Sequence, residues 1–319
     1  MSIDYLRVSV TDKCNLRCIY CHPTGDFNLM EQRYILKLEE IRHIVELFTR
    51  CGIKKVRLTG GEPLLRGDIF DIVNSLSSVP GVEDLSITTN GVLLESLATG
   101  LKAEGLNRIN ISVDTMERST YERMTGLDML PEVTKGINKV LEIGLSPVKI
   151  NSVVVKGFND SKKEITALAR MSVRLPVAVR FVEYCPTNNN VRSADDYVPN
   201  SEVRKIIEDE FGLLDAISIE KGYGPAVYFK IKNSAGAIGF ISGRSSMFCP
   251  ACNRLRLTSD GKVKPCLYSA RQYDLKGLFR DNAGDEQILR LLRGIIREKG
   301  SYTKMNSFEE EFSMQRVGG

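Results

Sequence analysis

The sequence has no apolar run approaching ~18 residues, so it offers no candidate for a transmembrane helix. Its N-terminal stretch, MSIDYLRVSVTDKC, lacks the charged, apolar and small-residue order of a secretory signal peptide. It also contains no repeat of fixed period and no low-complexity segment. These absences predict a cytoplasmic protein, and disulfides rarely persist in that compartment.

Neither sign of charge dominates, since 44 Lys and Arg residues stand against 40 Asp and Glu residues and leave a net charge of +4. That excess is too small to indicate a nucleic-acid partner or a basic patch for a membrane. The chain has 319 residues, of which 42% are hydrophobic, so it can bury a sizeable core. At ~150 residues per domain this length suits two domains or one large α/β barrel with an appendage.

The first two-thirds of the chain alternates between strand-like and helix-like segments. The strand candidates are 6–11, 55–59, 85–89, 108–113, 148–155 and 177–183. The helical candidates between them are 38–51, a helix that begins after Asp68, 92–104, 131–143 and 161–171. Strands joined by helices predict a parallel sheet of βα units. Six units are too few for a closed eight-stranded barrel, so the pattern predicts an open, partial (β/α)6 barrel of the TIM type.

The pattern changes after residue 186. Residues 186–199 are polar and rich in turn formers, and 201–211 have the pattern of a capped helix. Residues 213–243 form short strand-like pieces that glycine and proline interrupt, and 285–299 have a helical pattern of Leu and Arg. We therefore predict two parts, which are a barrel over 1–212 and an α+β segment over 213–319.

Six of the eight cysteines fall into two groups of three. A chain of this length can bury a large core and does not need disulfide bonds for stability, so the two groups indicate metal sites. Cys14, Cys18 and Cys21 follow the first strand, where parallel α/β proteins build their sites. Three thiolates on one loop can hold three irons of a [4Fe–4S] cluster and leave the fourth iron to a non-protein ligand. The alternative is zinc with His22 as fourth ligand, although a residue adjacent to Cys21 is poorly placed to close a tetrahedron.

The second group consists of Cys249, Cys252 and Cys266. A zinc ribbon would need a fourth ligand near Cys266, and no Cys or His lies within 267–319. A second [4Fe–4S] cluster with one open iron therefore fits these three cysteines better.

Further motifs carry groups that suit a small ligand. Asn253-Arg254-Leu255-Arg256 places two guanidiniums on one face of an extended segment, which suits a triphosphate, although a solvated basic strand has the same pattern. Gly60-Gly61-Glu62-Pro63 permits close backbone approach and offers acceptors for an ammonium group, although by itself it could be a simple turn. Thr88–Gly91 and Ser112–Asp114 end the third and fourth strands, where they line a pocket or cap the strands.

The CxxxCxxC loop together with the Gly-Gly-Glu-Pro segment resembles the radical S-adenosylmethionine (SAM) superfamily. The resemblance implies that the amino and carboxylate groups of SAM bind the open iron. It implies that the reduced cluster cleaves SAM to methionine and a 5′-deoxyadenosyl radical. It assigns SAM contacts to the following residues: Tyr20, Gly60, Gly61, Glu62, Ser112 and Cys185.

Over nearly its whole length the sequence resembles the GTP 3′,8-cyclase family of molybdenum-cofactor biosynthesis. GGEPLLR, the CNRLRLT segment with the following Asp-Gly, and the terminal Gly-Gly carry this resemblance. It implies two [4Fe–4S] clusters, GTP as substrate, removal of hydrogen from the ribose C3′ and attack of that carbon on guanine C8. It also implies cyclic pyranopterin monophosphate synthase as the downstream enzyme and an electron donor, and it leaves a homodimer open.

The same resemblance assigns roles to individual residues. It implies contacts with GTP for the following residues: Arg7, Lys55, Arg57, Thr88, Lys149, Asn253, Arg254 and Arg256. Of the two lysines, Lys149 matches the family's phosphate-contacting lysine, and Lys55 is the weaker candidate. One of Arg254 and Arg256 is implied to act in the chemistry beside the second cluster. Gly318 and Gly319 are implied to enter the barrel mouth near Arg7, where such a tail is required for radical initiation on GTP.

Two positions depart from the family pattern. His22 stands where many members have Met, and Cys185 stands where a methionine contacts SAM, so a SAM contact by Cys185 is an open question. One alternative function is another radical SAM enzyme with an auxiliary cluster, such as a peptide maturase, although those enzymes usually carry more C-terminal cysteines. Another is a zinc module that recognises nucleic acid, which predicts a higher pI and complete sets of four ligands.

Overall fold

The computed structural model describes residues 3–21, 29–185, 196–218, 224–246, 252–269 and 271–299. The predictions made for His22, Cys249, Gly318 and Gly319 lie outside these ranges. Within them, twelve strands form one sheet, and no helix is both long and apolar enough to span a bilayer.

The strands follow one another along the chain as β1 Tyr5–Ser9, β2 Lys55–Thr59, β3 Asp84–Thr89, β4 Arg108–Ser112, β5 Val148–Val154, β6 Val177–Glu183, β7 Asp215–Ile217, β8 Val227–Lys230, β9 Ala237–Ile241, β10 Arg254–Leu257, β11 Lys262–Lys264 and β12 Tyr273–Asp274. The helices are α1 Leu38–Arg50, α2 Ile69–Ser77, α3 Leu94–Ala103, α4 Arg118–Thr125, α5 Leu130–Glu142, α6 Lys162–Arg174, α7 Asn200–Phe211, α8 Leu275–Arg280 and α9 Asp285–Glu298. Single turns of 3₁₀ helix lie at Gln32–Tyr34 and Pro63–Leu65.

The strand order is β12-β11-β10-β1-β2-β3-β4-β5-β6-β9-β8-β7. The neighbours from β10 through β1 to β6 and on to β9 are all parallel. Strands β7 and β8 at one edge and β11 and β12 at the other are antiparallel additions. The predicted six-stranded parallel barrel is therefore confirmed, and the C-terminal part of the chain extends it by one parallel strand on each side.

The two faces of the sheet differ because side chains alternate along each strand. One face is apolar, as Leu6 and Val8 of β1 and Val56 and Leu58 of β2 show, and these four side chains have no exposed surface. They share one continuous core with the buried residues of α1, α2, α3, α5 and α6. Burial of this apolar area stabilises the barrel at roughly 25 cal/mol per Å². The other face of the sheet is polar and carries the candidate site.

Some local predictions need correction. Helix α4 was not predicted, because its sequence RSTYERMT is short and mostly polar, and it becomes a helix by packing Tyr121 and Met124 inward. Asp68 occupies the N-cap position of α2, but its carboxylate binds Arg66 and not the first turn of the helix. The division at residue 212 stays a prediction, and both parts contribute strands to the same sheet.

Candidate active site

The polar face of the sheet is rich in buried basic side chains. In the strand register Arg7 lies between Arg57 on β2 and Arg256 on β10, and Asn110 lies beside Lys149. We use the name cationic cluster for six of the basic residues on this face, each of them at most 8% exposed: Arg7, Arg57, Arg108, Lys149, Arg180 and Arg256. Arg254 also faces this side and is half-buried.

Neutral side chains fix the guanidiniums of the cationic cluster in place. The Nε atom of Arg57 donates to Ser86 Oγ at 3.0 Å. With its amide oriented toward its donors, Asn110 accepts through its side-chain oxygen from Arg180 at 2.9 Å and from Arg57. The Arg57 guanidinium also lies over the ring of Tyr5, 5.5 Å from the centroid. Arg57 and Arg180 are thereby tied to one acceptor although they come from different strands.

Two carboxylates lie at the amino ends of the same strands. Asp84 accepts from Arg108 Nε at 2.7 Å, and Asp4 accepts from Lys55 Nζ at 2.5 Å. Asp4 also accepts from the side-chain amide of Asn253 at 2.5 Å. Lys55 and Asn253, which we predicted to contact GTP, are therefore held together by one carboxylate, and their contact with GTP stays a prediction.

Burial and mutual repulsion disfavour the charged forms of the cationic cluster except at Arg108, where the hydrogen bond and charge of Asp84 outweigh burial and raise the pKa. Burial lowers the pKa of Arg57 and that of Arg256 to about 10. Burial lowers the pKa of Lys149 to about 7, and the guanidiniums of Arg180, Arg108 and Arg57 add to the shift. A ligand with several negative charges would relieve this repulsion, so the face is suited to a polyanion such as a triphosphate.

The first cysteine group lies on the loop that follows β1. Backbone hydrogen bonds of 2.7 and 2.9 Å join this loop to the end of α4, and Cys21 N donates to Cys18 O at 2.9 Å. Burial raises the pKa of Cys14 to about 11, and burial together with the Cys14 thiol raises the pKa of Cys21 to about 12. Without metal these thiols are protonated at neutral pH, so metal binding here releases protons.

The three thiols suit an iron–sulfur cluster better than zinc. In the ranges that the structure covers, no three Cys, His, Asp or Glu side chains converge as the ligands of a single metal ion. A tetrahedral zinc ion needs such convergence. A [4Fe–4S] cluster takes one thiolate at each ligated iron, so its thiols can lie further apart. Three thiols fit such a cluster with one iron left open, and its binding by Cys14, Cys18 and Cys21 stays a prediction.

The Gly-Gly-Glu-Pro segment packs against the entrance to the cysteine loop. A Cβ atom on Gly60 would lie 2.4 Å from Thr11 O, and one on Gly61 would lie 2.2 Å from Lys13 O. Gly61 N donates to Thr11 O at 2.8 Å, and Glu62 N donates to Lys13 O at 2.7 Å. The close backbone approach that we expected toward a ligand is thus made to the protein's own chain, and the SAM contact of these residues stays a prediction.

The Glu62 carboxylate, which is only 1% exposed, is engaged inside the protein. It accepts hydrogen bonds from Thr89 Oγ1 at 2.6 Å, from Asn90 N at 2.7 Å and from Leu64 N at 3.0 Å. Burial raises the pKa of Glu62 to about 7, and these hydrogen bonds oppose the shift. Glu62 therefore positions the turn at the end of β3.

Tyr20, between two cysteines of the loop, is tied to the end of β4. Its hydroxyl donates to Asp114 Oδ2 at 2.7 Å, while Val153 N donates to Asp114 Oδ1 at 2.8 Å. Burial raises the pKa of Asp114 to about 6. Asp114 therefore links the cysteine loop to β4 and β5. Ser112 on the same strand is half-buried, and its contact with SAM stays a prediction.

Cys185 follows the end of β6 and is half-buried. Its thiol is a hydrogen-bond partner of the Tyr268 hydroxyl, and burial together with this thiol raises the pKa of Tyr268. Tyr268 comes two residues after Cys266, so this contact lies beside the second cysteine group. A SAM contact by Cys185 stays a prediction.

The strand pair β10–β11 brings two cysteines of the second group to the same end of the sheet. Cys252 precedes β10 and Cys266 follows β11, and the two strands are antiparallel neighbours. Burial alone would raise the pKa of Cys252, but the charges of Arg254 and Lys299 lower it to about 7. Cys249 lies outside the described residues, so this group as a set of three stays a prediction.

Four members of the cationic cluster were predicted from the sequence, and two were not. Arg108 and Arg180 join Arg7, Arg57, Lys149 and Arg256 on the same face. Their signal was a single arginine beside apolar residues in each strand, in RINIS and VAVRFVE. Thr88, which was predicted, is half-buried, and its hydroxyl has no hydrogen-bond partner among the residues that the structure covers.

Comparison with known families divides the chain into two matched regions. Residues 8–169 match the family model described as the Radical SAM superfamily, and residues 177–305 match Molybdenum Cofactor Synthesis C. Among solved structures, Streptococcus suis SuiB superposes with a TM-score of 0.67 at 14% identity, covering 95% of this chain and 69% of that chain. At this identity the likeness shows the fold alone.

Curated relatives match the whole chain. The GTP 3′,8-cyclase of Pelotomaculum thermopropionicum is 41% identical over 319 residues, which cover 99% of this chain and 98% of that protein. The GTP 3′,8-cyclase of Petrotoga mobilis is 44% identical over 322 residues, with coverage of 100% and 98%. The radical SAM barrel, the buried cationic face and these full-length matches agree, and the chain belongs to the GTP 3′,8-cyclase family of the radical SAM superfamily.

Proposed function

We propose that this protein converts GTP to (8S)-3′,8-cyclo-7,8-dihydroguanosine 5′-triphosphate, the first step of molybdenum-cofactor biosynthesis. The observation that carries the proposal is the cationic cluster on the polar face of the sheet, at whose carboxyl edge the cysteine loop begins. Buried guanidiniums in this number suit a triphosphate. A peptide substrate would leave them uncompensated, so the cluster favours a nucleotide over the peptide of a maturase.

Cys14, Cys18 and Cys21 would hold the [4Fe–4S] cluster that radical SAM enzymes use. When bound, this cluster and SAM supply a 5′-deoxyadenosyl radical that can remove hydrogen from the ribose. The protein positions the loop through Tyr20 and Asp114. Gly60, Gly61 and Glu62 hold its entrance and the neighbouring strand end, where the methionine part of SAM would lie.

A second [4Fe–4S] cluster at Cys249, Cys252 and Cys266 is part of the proposal. Arg254 lies next to Cys252 in space and lowers the pKa of its thiol, and Arg256 follows on the same face. One open iron at this place would bind the guanine. Arg254 and Arg256 would then lie between the guanine and the triphosphate, which suits one of them for the radical steps.

The side chains of the cationic cluster have a binding and orienting task in this reaction. Arg57 and Arg180, both held by Asn110, would bind the triphosphate from two sides. A polyphosphate fixed there would turn the ribose toward the carboxyl edge of the sheet, where the cysteine loop lies. Fixing both reacting groups in one cavity removes much of the entropic cost of their encounter.

The C-terminal tail and the partners belong to the proposal as well. Gly318 and Gly319 would enter the barrel mouth near Arg7, since two residues without Cβ atoms can thread a narrow channel. Helix α9 and Lys299, which precede this tail, lie near Cys252. An electron donor would reduce the first cluster, and cyclic pyranopterin monophosphate synthase would consume the product.

The test is a labelling experiment on the anaerobically reconstituted protein. With SAM, a reductant and GTP that carries deuterium at C3′, we expect 5′-deoxyadenosine that contains the deuterium, together with the cyclised nucleotide. GTP with deuterium at C4′ is the control and should leave 5′-deoxyadenosine unlabelled. Formation of 5′-deoxyadenosine at the same rate without GTP, or without transfer of the C3′ label, would contradict the proposal.

A further inference from the structure

Tyr5, the first residue of β1, carries a buried hydroxyl on the same strand as Arg7. The side chain is 2% exposed, and its hydroxyl has no hydrogen-bond partner in the part of the chain that the structure covers. Buried tyrosine hydroxyls normally find a partner, because an unpaired polar atom away from water costs free energy. This hydroxyl can therefore donate a hydrogen bond to a bound ligand.

The strand register places Tyr5 on the polar face of the sheet. Tyr5 lies two residues before Arg7 on β1, so the two side chains share a face, and Tyr5 is level with Arg254 on β10. The Arg57 guanidinium covers its ring, 5.5 Å from the centroid. Although burial would raise the pKa of Tyr5, the guanidiniums of Arg57, Arg7, Arg254 and Arg108 together lower it, in agreement with this placement. Tyr5 thus lies on the same face as the cationic cluster.

Two further donors on this face lack hydrogen-bond partners among the described residues. They are Nη1 of Arg108 and Nε of Arg180, both of them buried. A cavity wall with several unpaired donors and a positive charge calls for a ligand that only accepts hydrogen bonds and is an anion. Phosphate oxygens have both properties, whereas the edge of guanine carries donors as well as acceptors.

We propose that Tyr5 is a substrate-contacting residue whose hydroxyl donates a hydrogen bond to the phosphate chain of the nucleotide. This inference rests on the proposed function for the identity of the nucleotide. The phenol has a single O–H donor, whereas each guanidinium has several N–H donors in one plane. A hydrogen bond from Tyr5 therefore restricts the orientation of the phosphate more than the guanidiniums do. The guanidiniums around the phenol also make it a stronger donor.

The test compares Tyr5→Phe with the wild-type holoenzyme by calorimetric titration with three probes: inorganic tripolyphosphate, GTP and guanosine. Loss of a hydrogen bond to a charged acceptor should weaken binding of tripolyphosphate and of GTP about ten- to a hundredfold. Guanosine, which has no phosphate, should bind both proteins equally. Iron content and thermal midpoint should match the wild type, since the hydroxyl that is removed has no partner among the residues that the structure describes.

The matched control is Tyr121→Phe. Tyr121 is 1% exposed, and its hydroxyl also lacks a partner among the described residues. It lies on α4, where the groups that act on it are those of Cys18, Asp114 and Cys14 and not those of the cationic cluster. This variant should bind all three probes as the wild type does. Unchanged affinity of Tyr5→Phe for tripolyphosphate would overturn the inference, and so would an equal loss for guanosine. Tyr5-dependent binding of tripolyphosphate without turnover of GTP would support the contact with phosphate and contradict the proposed function.

Discussion

The two cysteine groups lie in opposite electrostatic environments. Around the first, burial raises the pKa of the thiols, and the carboxylates of Glu62 and Asp114 add to the shifts of Cys14 and Cys18. Beside the second, guanidinium and ammonium charges lower the pKa of Cys252 to about 7. The difference matches the proposed ligands, since SAM carries a sulfonium and an ammonium group and GTP carries a polyphosphate. We therefore expect the environment of the first group to favour SAM and that of the second group to favour GTP.

The largest expected effect separates the two cysteine groups directly. Cys18→Ala should lose the first cluster and abolish cleavage of SAM. Cys252→Ala should keep SAM cleavage under a strong reductant and lose cyclisation of GTP. Iron content and 5′-deoxyadenosine formation measure the two outcomes. Cyclised nucleotide at the normal rate from Cys252→Ala would contradict the assignment of a second cluster.

The basic environment on the polar face of the sheet can be tested by removing the charge of Arg57. Arg57→Met should weaken GTP binding about ten- to a hundredfold, because a charge-assisted contact is lost. It should also raise the free energy of unfolding by about 1–2 kcal/mol, because a buried charge that neighbouring cations repel is removed. Calorimetric titration and urea unfolding measure the two effects.

Arg108→Met is the matched control for Arg57→Met. Arg108 lies on the same face but has an acidic partner in Asp84, so its replacement leaves a carboxylate half-buried and unpaired. This variant should be destabilised by about 3 kcal/mol. If both variants changed stability in the same direction, the distinction between paired and repelled cations in this cavity would be wrong.

The acidic environment of the first cysteine group can be tested by replacing Glu62. In Glu62→Gln one carboxylate oxygen becomes an NH2 group, which cannot accept a hydrogen bond. Either the bond from Asn90 N or the bonds from Thr89 Oγ1 and Leu64 N are therefore lost. The free energy of unfolding should fall by about 1–3 kcal/mol. Glu83→Gln, at an exposed ion pair with Lys54, is the control and should change stability by less than about 0.5 kcal/mol. Equal urea midpoints for the two variants would show that Glu62 has no positioning role.

The smallest expected effect is a dependence on pH through Lys149, whose pKa is about 7 in the free protein. A bound triphosphate favours the charged amine and raises this pKa. Below pH 7 the Lys149 amine is already charged, so GTP binding should take up few protons. At pH 8 the amine is mostly neutral, and binding should take up about one proton. Affinity should therefore fall as pH rises above 7.

Calorimetry in buffers of different ionisation enthalpy measures this proton uptake. Lys149→Met should bind GTP more weakly and take up no proton at pH 8. A proton uptake at pH 8 that persists in Lys149→Met would assign the titration to another group.

The sequence predicted the regular part of this structure and missed what depends on distant pairing. Strands β2 and β6 were predicted with the bounds observed, because the glycine pair at 60–61 ends β2 and apolar residues dominate β6. Strands β9 and β10 were not recognised as members of the parallel sheet, since nothing local to 237–241 or 254–257 reveals a neighbour far away in the chain. The partners of Glu62 and Asp4 were hidden for the same reason.

The placement of β9 and β10 affects how the protein folds during its synthesis on the ribosome. Strands β1 to β6 emerge first, and until the last third of the chain follows, on the order of seconds later, the sheet has two unpaired edges. Pairing of β10 with β1 closes a very long loop, which makes it a slow step of folding. Nascent chains are thus most prone to aggregate in this interval, and Arg254 and Arg256 join the other cations only after it has passed.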